Sequence, residues 1–277
     1  MPVTANPILS LPCPDGFSPE ETLFCGQCFR FERQGDTISG AAGARFLSLR
    51  HQGERLLLTH CREEDLPFWE TYFDFPTDYT SLKSLFSQDE TMARACAFAP
   101  GIRILRQEPW EALCSFILSQ NNNIRRISGI IARLCQAFGE PIPGAPEGVC
   151  SFPSPQRLAP LSPEELAPLR AGFRAKYVLD AARKVASGQV RFDFLAAAPL
   201  PQAREDLMQI YGVGPKVADC ALLYGLHRLD AFPVDTWIRK ALSRYYPQGF
   251  PPEFLPSRGA AQQFLFHYIR HLEKERQ

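Results

Sequence analysis

The 277 residues, 45% hydrophobic and 22% charged, describe a globular chain long enough for two domains or for one with a substantial core. No stretch approaches the roughly 18 uncharged apolar residues of a membrane span, and residues 1–14 carry neither a basic nor an apolar leader region, so neither membrane insertion nor export is expected. Thirty basic against thirty acidic residues neither suggests nor excludes nucleic acid, and nine cysteines scattered through apolar stretches are expected as reduced, buried thiols.

From Phe24 to His60, short apolar-polar alternations are separated by glycine turns at Gly35, Gly43 and Gly53, which predicts an antiparallel meander. After about residue 62 the period becomes helical. Asp89 should cap a helix running to Phe98, and Pro109 should open one through Trp110, Leu113, Phe116 and Ile117. Further helices are predicted over Ile124–Phe138 and Phe173–Ser187, stopped by Gly139 and Gly188. Between them, residues 141–163 are rich in proline and glycine and read as a connecting loop, with Ser162-Pro163-Glu164-Glu165 as a capping box for a short helix. Four more helices are predicted, over Pro201–Ile210, Pro215–Tyr224, Asp235–Tyr245 and Arg258–Lys274. The expected fold is therefore α+β: a small antiparallel β domain with flanking helices over residues 1–98, and an α-helical region over 99–277 whose last helix completes a pocket.

Gly212-Val213-Gly214 joins two of these helices, forming a helix-hairpin-helix whose backbone N–H groups and following helix N-terminus suit a phosphate. Tight packing between the two helices would use the same glycines. Lys216 falls in the first turn of the second helix, where the macrodipole and partial burial disfavour its ammonium form and favour a nucleophilic amine. Alone, such a lysine also reads as a solvated side chain. Asp235, nineteen positions downstream in the run "FPVDTW", is a natural N-cap, and a capping carboxylate held rigid can also face the lysine across a cleft. Arg170, Arg174, Lys176, Arg183 and Lys184 form a local basic set that fits DNA or a solvated helix face equally.

The combination of "GVGPK" and "PVD" resembles the helix-hairpin-helix DNA glycosylases with a Gly/Pro-rich loop and catalytic Asp, and in particular the 8-oxoguanine DNA glycosylases. "CGQCFRF" (25–31), "SQNNNIRRISGIIARLCQAFG" (119–139), "GFRAKYV" (172–178) and "AQQFLF" (261–266) are similar to that family's blocks in the same order. The resemblance implies that Lys216 attacks the sugar C1′ while Asp235 stabilises the developing charge. It implies that the Gly26 carbonyl accepts from the oxidised base, that Gln262 reads its Watson-Crick edge, and that Cys220 and Phe266 sandwich it. Asn121 and Arg126 would bind the cytosine left behind, with Phe173 as the wedge and Arg174 as another contact, and Gly212, Val213 and Gly214 would touch a DNA phosphate. Trp237 stands where better-known eukaryotic members have a histidine associated with a phosphate, so that contact is not carried over. Phe173 replaces a tyrosine, and Gln120 a smaller serine.

The partner implied is double-stranded DNA containing oxidised guanine, bound by a monomer in a bacterial, nucleoid-associated cytoplasmic setting. No cofactor is expected. No cysteine follows Cys220, so the iron-sulfur cluster of some relatives has no ligands, and Cys25 and Cys28 lack a second pair for zinc. A monovalent or divalent cation at the hairpin stays open. Two alternatives are a bifunctional glycosylase for another oxidised base and a non-catalytic helix-hairpin-helix DNA-binding protein; the second would have no use for both Lys216 and Asp235.

Overall fold

The computed structural model describes residues 8–275. A five-stranded antiparallel sheet is built from β1 (Leu9–Pro12), β2 (Phe31–Gln34), β3 (Thr37–Ala42), β4 (Arg45–Gln52) and β5 (Arg55–Thr59), in the order β1-β5-β4-β3-β2. The predicted meander is present, joined by two-residue turns. Pairing of Leu49 with Leu58 and of Ile38 with Leu49 puts alternate residues of each strand on one face. There Leu47, Leu49, Leu56 and Leu58 are fully buried against Trp69 and Phe73. Strand β1 lies outside the predicted meander, because prolines flank it on both sides. It survives as an edge strand, where a missing N–H costs nothing.

Thirteen α-helices appear among the described residues: α1 (Pro19–Leu23), α2 (Leu66–Tyr72), α3 (Tyr79–Phe86), α4 (Glu90–Phe98), α5 (Pro109–Leu118), α6 (Ile124–Phe138), α7 (Pro155–Leu158), α8 (Arg174–Ala186), α9 (Phe192–Ala197), α10 (Leu200–Met208), α11 (Pro215–Gly225), α12 (Thr236–Tyr245) and α13 (Arg258–Glu275). Helices α5 and α11 are apolar nearly all round and pack on each other at the centre of the larger core. Helix α6 is amphipathic. Its buried stripe of Ile127, Ile130, Ile131, Leu134 and Cys135 follows the 3.6-residue period, and the Asn123 side chain caps it by accepting from the Arg126 N–H at 3.0 Å.

The capping box of Ser162 and Glu165 forms as predicted, with the Glu165 carboxylate accepting from the Ser162 N–H at 2.8 Å. It leads into a 3-10 turn over Ala167–Leu169 rather than an α-helix, ended by Arg170 in the left-handed region at φ +57°.

One buried carboxylate ties the sheet region to the helices. Asp74, fully buried, accepts from Arg106 Nε at 2.8 Å, Tyr79 Oη at 2.9 Å and Thr77 Oγ1 at 2.8 Å, and pairs with His227 Nε2 at 2.9 Å. Burial opposes its charge, yet the bonds and charge of His227, with Arg106 and Thr77, hold its carboxyl below the usual carboxylate range.

Candidate active site

The hairpin between α10 and α11 is fixed by sterics and by a clasp from α8. Gly212 has φ +80°, and a Cβ there would lie 2.4 Å from the Tyr177 ring, so no side chain fits. The Asp180 carboxylate accepts from the Tyr211 N–H at 2.7 Å, and Lys184 Nζ donates to the Gln209 carbonyl at 2.6 Å and to Asp180 at 2.9 Å. Gly214 is the N-cap residue of α11, in extended backbone with open space where a Cβ would point. The turn is rigid on its protein side and unobstructed at Gly214.

Lys216 therefore leaves α11 in a fixed direction. Its amine is half-buried, 3.5 Å from Ser119 Oγ and 5.3 Å from the centroid of the Phe116 ring. Asp235 caps α12, its Oδ1 accepting from the Ile238 N–H at 2.8 Å, which orients the carboxylate. Both side chains line one cavity of about 50 Å³, together with Gly26, Phe116, Cys220, Tyr224, Pro233, Gln262 and Phe266.

Six residues singled out from sequence thus meet in one place: Lys216, Asp235, Gly26, Cys220, Gln262 and Phe266. Gly26 has φ +96°, a conformation in which only glycine is unstrained. Its loop is held by buried amides: Gln27 donates to the carbonyls of Thr22 and Arg103, Gln107 donates to the Gln27 carbonyl at 2.7 Å, and Gln263 donates to the Cys25 carbonyl at 3.3 Å. Burial pushes the Cys220 thiol up to about 11, with Lys216 pulling the other way, so it stays protonated and presents a soft apolar surface. The Cys25 thiol, pushed up to about 12 by burial, donates to the Thr22 carbonyl at 3.1 Å, and Cys28 donates to the Leu23 carbonyl at 3.3 Å.

Gln262 carries the clearest sign of a ligand. Its Nε2 donates to the Pro233 carbonyl at 3.1 Å, while its buried Oε1 has no hydrogen-bond partner among the described residues. An orphaned buried acceptor costs about 1–3 kcal/mol, and its place on the cavity wall suits a substrate N–H.

The residues expected to face the opposite base lie apart from this cavity. Asn121 is exposed at φ +46° and Arg126 is exposed on the first turn of α6. Phe173 protrudes at 47% exposure, braced by Tyr177 at 5.6 Å between ring centroids. Arg174 is placed differently from its three neighbours. It is buried, and its guanidinium donates to the carbonyls of Gln120, Asn121 and Ala171, so it props up the Asn121 loop from beneath.

Phe116, Tyr224 and Pro233 also line the cavity, and nothing in the sequence marks them for it. Phe116 and Tyr224 read as core residues of apolar helices, and they are, stacked at 5.0 Å between centroids; one edge of that stack forms the cavity wall. No periodicity distinguishes a core ring from one that also borders a pocket.

Residues 10–113 match the family model described as 8-oxoguanine DNA glycosylase, N-terminal domain, and residues 114–249 match that of the HhH-GPD superfamily base excision DNA repair protein. The chain is similar to the solved structure of MBOgg1 in complex with a low-affinity DNA ligand, at 37% identity and a TM-score of 0.88, covering 98% of this chain and all of that one. It is also similar to the Clostridium acetobutylicum 8-oxoguanine glycosylase/lyase in complex with double-stranded DNA containing cytosine opposite 8-oxoG, at 31% identity and a TM-score of 0.87, covering 97% and 99% of the two chains. Among curated proteins, the N-glycosylase/DNA lyase of Saccharomyces cerevisiae is 40% identical over 184 residues, 60% of this chain and 48% of that protein. The N-glycosylase/DNA lyase OGG1 of Arabidopsis thaliana is 32% identical over 238 residues, 81% of this chain and 65% of that protein. The chain spans about half to two thirds of the length of these curated relatives.

Proposed function

We propose, from the premise that this chain belongs to the 8-oxoguanine DNA glycosylase family, that it removes 8-oxoguanine paired with cytosine in double-stranded DNA and then nicks the strand. The observation that carries the reading is the convergence of Lys216, Asp235, Gly26, Cys220, Gln262 and Phe266 on one cavity from four separate stretches of chain.

The flipped nucleotide would place its base between Cys220 and Phe266, with its Watson-Crick N–H groups toward Gln262 Oε1 and its N7–H toward Gly26. That arrangement would satisfy the orphaned acceptor. Lys216 Nζ then attacks C1′ as the bond from C1′ to the base nitrogen breaks, and the base leaves with a proton. The carboxylate of Asp235 offsets the positive charge that develops on the sugar. Opening of the ring leaves an imine between Nζ and C1′. The imine acidifies the C2′ proton, and its removal expels the 3′ phosphate by β-elimination. The amine supplies the nucleophile and the carboxylate the charge stabilisation, and neither role calls for a cofactor. A purely structural hairpin protein would need neither the lysine and aspartate at one cavity nor the unsatisfied amide.

The reading further takes the protein to act as a monomer at the nucleoid of a bacterial cytoplasm. All nine cysteines are free thiols, which suits a reducing compartment. Among the described residues no helix is long and apolar enough to cross a membrane.

The test is to incubate the protein with an 8-oxoguanine:cytosine duplex and measure free base and strand nicking. Both should appear, and both should vanish in Lys216→Gln. Release of an oxidised pyrimidine in preference to 8-oxoguanine would redirect the reading to another lesion.

A further inference from the structure

A second pocket, of about 510 Å³, opens between the 163–172 loop and the first turn of α8, bordered by Arg126, Arg170, Phe173 and Lys176. It shares no lining residue with the Lys216 cavity. Three of its residues are exposed cations, and among the described residues none of the three pairs with a carboxylate. Glu164 and Glu165 belong to the same loop, but neither lines the pocket, and Glu165 is engaged with the Ser162 N–H. The local field is therefore positive in a chain whose net charge is zero. Arg174, just beneath, registers it: burial, and then the Arg126 charge, lower its guanidinium from the ordinary value.

The rest of the basic set is used internally. Arg183 donates to the carbonyls of Ala159 and Leu161, Lys184 pairs with Asp180, and Arg174 holds the Asn121 loop. Arg170 and Lys176 are the members left over. The Lys176 ammonium sits 5.2 Å from the Tyr211 ring and 5.7 Å from the Tyr177 ring, which restricts it without neutralising it.

Arg170 is also held in an uncommon backbone conformation. At φ +57° it occupies the left-handed region where glycine would be unstrained and an arginine is not. The conformation is enforced from behind: Arg133 donates twice to the Leu169 carbonyl, at 3.1 and 2.8 Å, and Arg126 Nη2 donates to the Arg170 carbonyl at 3.5 Å. Strain retained at a solvent-facing arginine points to a use for its guanidinium.

We propose that Arg170 and Lys176 hold a backbone phosphate of the strand opposite the lesion, in the pocket that Arg126 and Phe173 border. The ligand is a phosphodiester, for which a guanidinium fork and a restrained ammonium are well matched. The strand assignment rests on the glycosylase reading, in which Arg126 and Phe173 face the opposite base and Lys216 faces the damaged strand. The grip would hold the undamaged strand in place while the wedge keeps the duplex open.

The test uses Lys216→Gln protein, which does not turn the substrate over, and measures affinity for an 8-oxoguanine:cytosine duplex against salt. Adding Arg170→Gly keeps the left-handed backbone and removes the charge, so thermal stability should be equal or higher while the slope of log affinity against log salt falls by about 0.9. Arg170→Lys should restore the slope. Replacing single phosphates by methylphosphonates on the undamaged strand should weaken the Arg170 protein at one position, weaken the Arg170→Gly protein less there, and leave an Arg170→Gly/Lys176→Gln protein indifferent to it. An unchanged slope in Arg170→Gly, or sensitivity confined to the damaged strand, overturns the proposal. Base release by the unsubstituted protein separates the two ideas: if it is absent while the slope still falls, the glycosylase reading fails and the phosphate site stands.

Discussion

Gly212 and Gly214 look alike in the sequence, yet the structure assigns them opposite sensitivities. Gly212→Ala forces a side chain into the left-handed region at φ +80°, a cost of about 1–2 kcal/mol, and drives its Cβ to 2.4 Å from the Tyr177 ring. Overpacking of that kind adds about 1–3 kcal/mol, so the total is about 2–5 kcal/mol. For a chain of this size that corresponds to a fall in Tm of about 4–20 °C. Gly214→Ala meets neither obstacle: its backbone is extended at φ −103° and ψ −179°, and nothing lies within 4 Å of the added Cβ. Its Tm should stay within about 2 °C of the parent. Its Cβ instead occupies the open side of the turn where a phosphate would approach, and losing one charge-assisted contact there should weaken duplex affinity about tenfold or more. Thermal melts and duplex titration of both variants separate the effects. The double variant Gly212→Ala/Tyr177→Ala, compared with Tyr177→Ala alone, should recover the overpacking share and keep the backbone share. A Gly212→Ala protein that melts with the parent, or a Gly214→Ala protein that unfolds early, would refute the reasoning.

Asp74→Asn removes the charge that Arg106 and His227 face and should cost about 3–5 kcal/mol of stability, read by denaturant melts. The parent should lose stability in acid on the same account. Because the folded carboxyl titrates below its unfolded value near 3.9, the contribution is complete above about pH 4 and disappears as pH falls through the lower folded value; melts of the Asp74→Asn protein should lack that component. Opposite-base choice is a third test. If Asn121 and Arg126 bind cytosine, adenine opposite the lesion should slow base release by roughly 10-fold or more, and equal rates for all four opposite bases would remove that role.

Much of this was legible in the sequence because the local signals were redundant. Helix α6 announces itself three ways, by the Asn123 cap, the apolar stripe from Ile127 to Cys135 and the stop at Gly139, and its boundaries agree with the prediction. Lys216 and Asp235 were legible from their places after the hairpin and at the start of α12, whereas Gly26, Cys220, Gln262 and Phe266 were legible only through the family resemblance of the blocks that hold them. Strand β1 was not, since it exists by pairing with β5 and has no signal of its own. The Ser162–Glu165 box promised a helix on local grounds, but the left-handed Arg170 ends the chain's turn after a single 3-10 segment, a feature no propensity indicates. Arg174 shows the limit most plainly. Its place in "GFRAKY" suggests a base contact, but no local signal indicates that the fold also buries it beneath Asn121, donating to the carbonyls of the loop it supports.

Covalent capture at Lys216 tests the central claim most directly. Borohydride added to the protein with an 8-oxoguanine:cytosine duplex should reduce the imine to a stable adduct, and proteolysis with mass spectrometry should locate the remnant sugar on the peptide bearing Lys216. An adduct mapped to another lysine, or none from folded protein that still releases the base, would contradict the account.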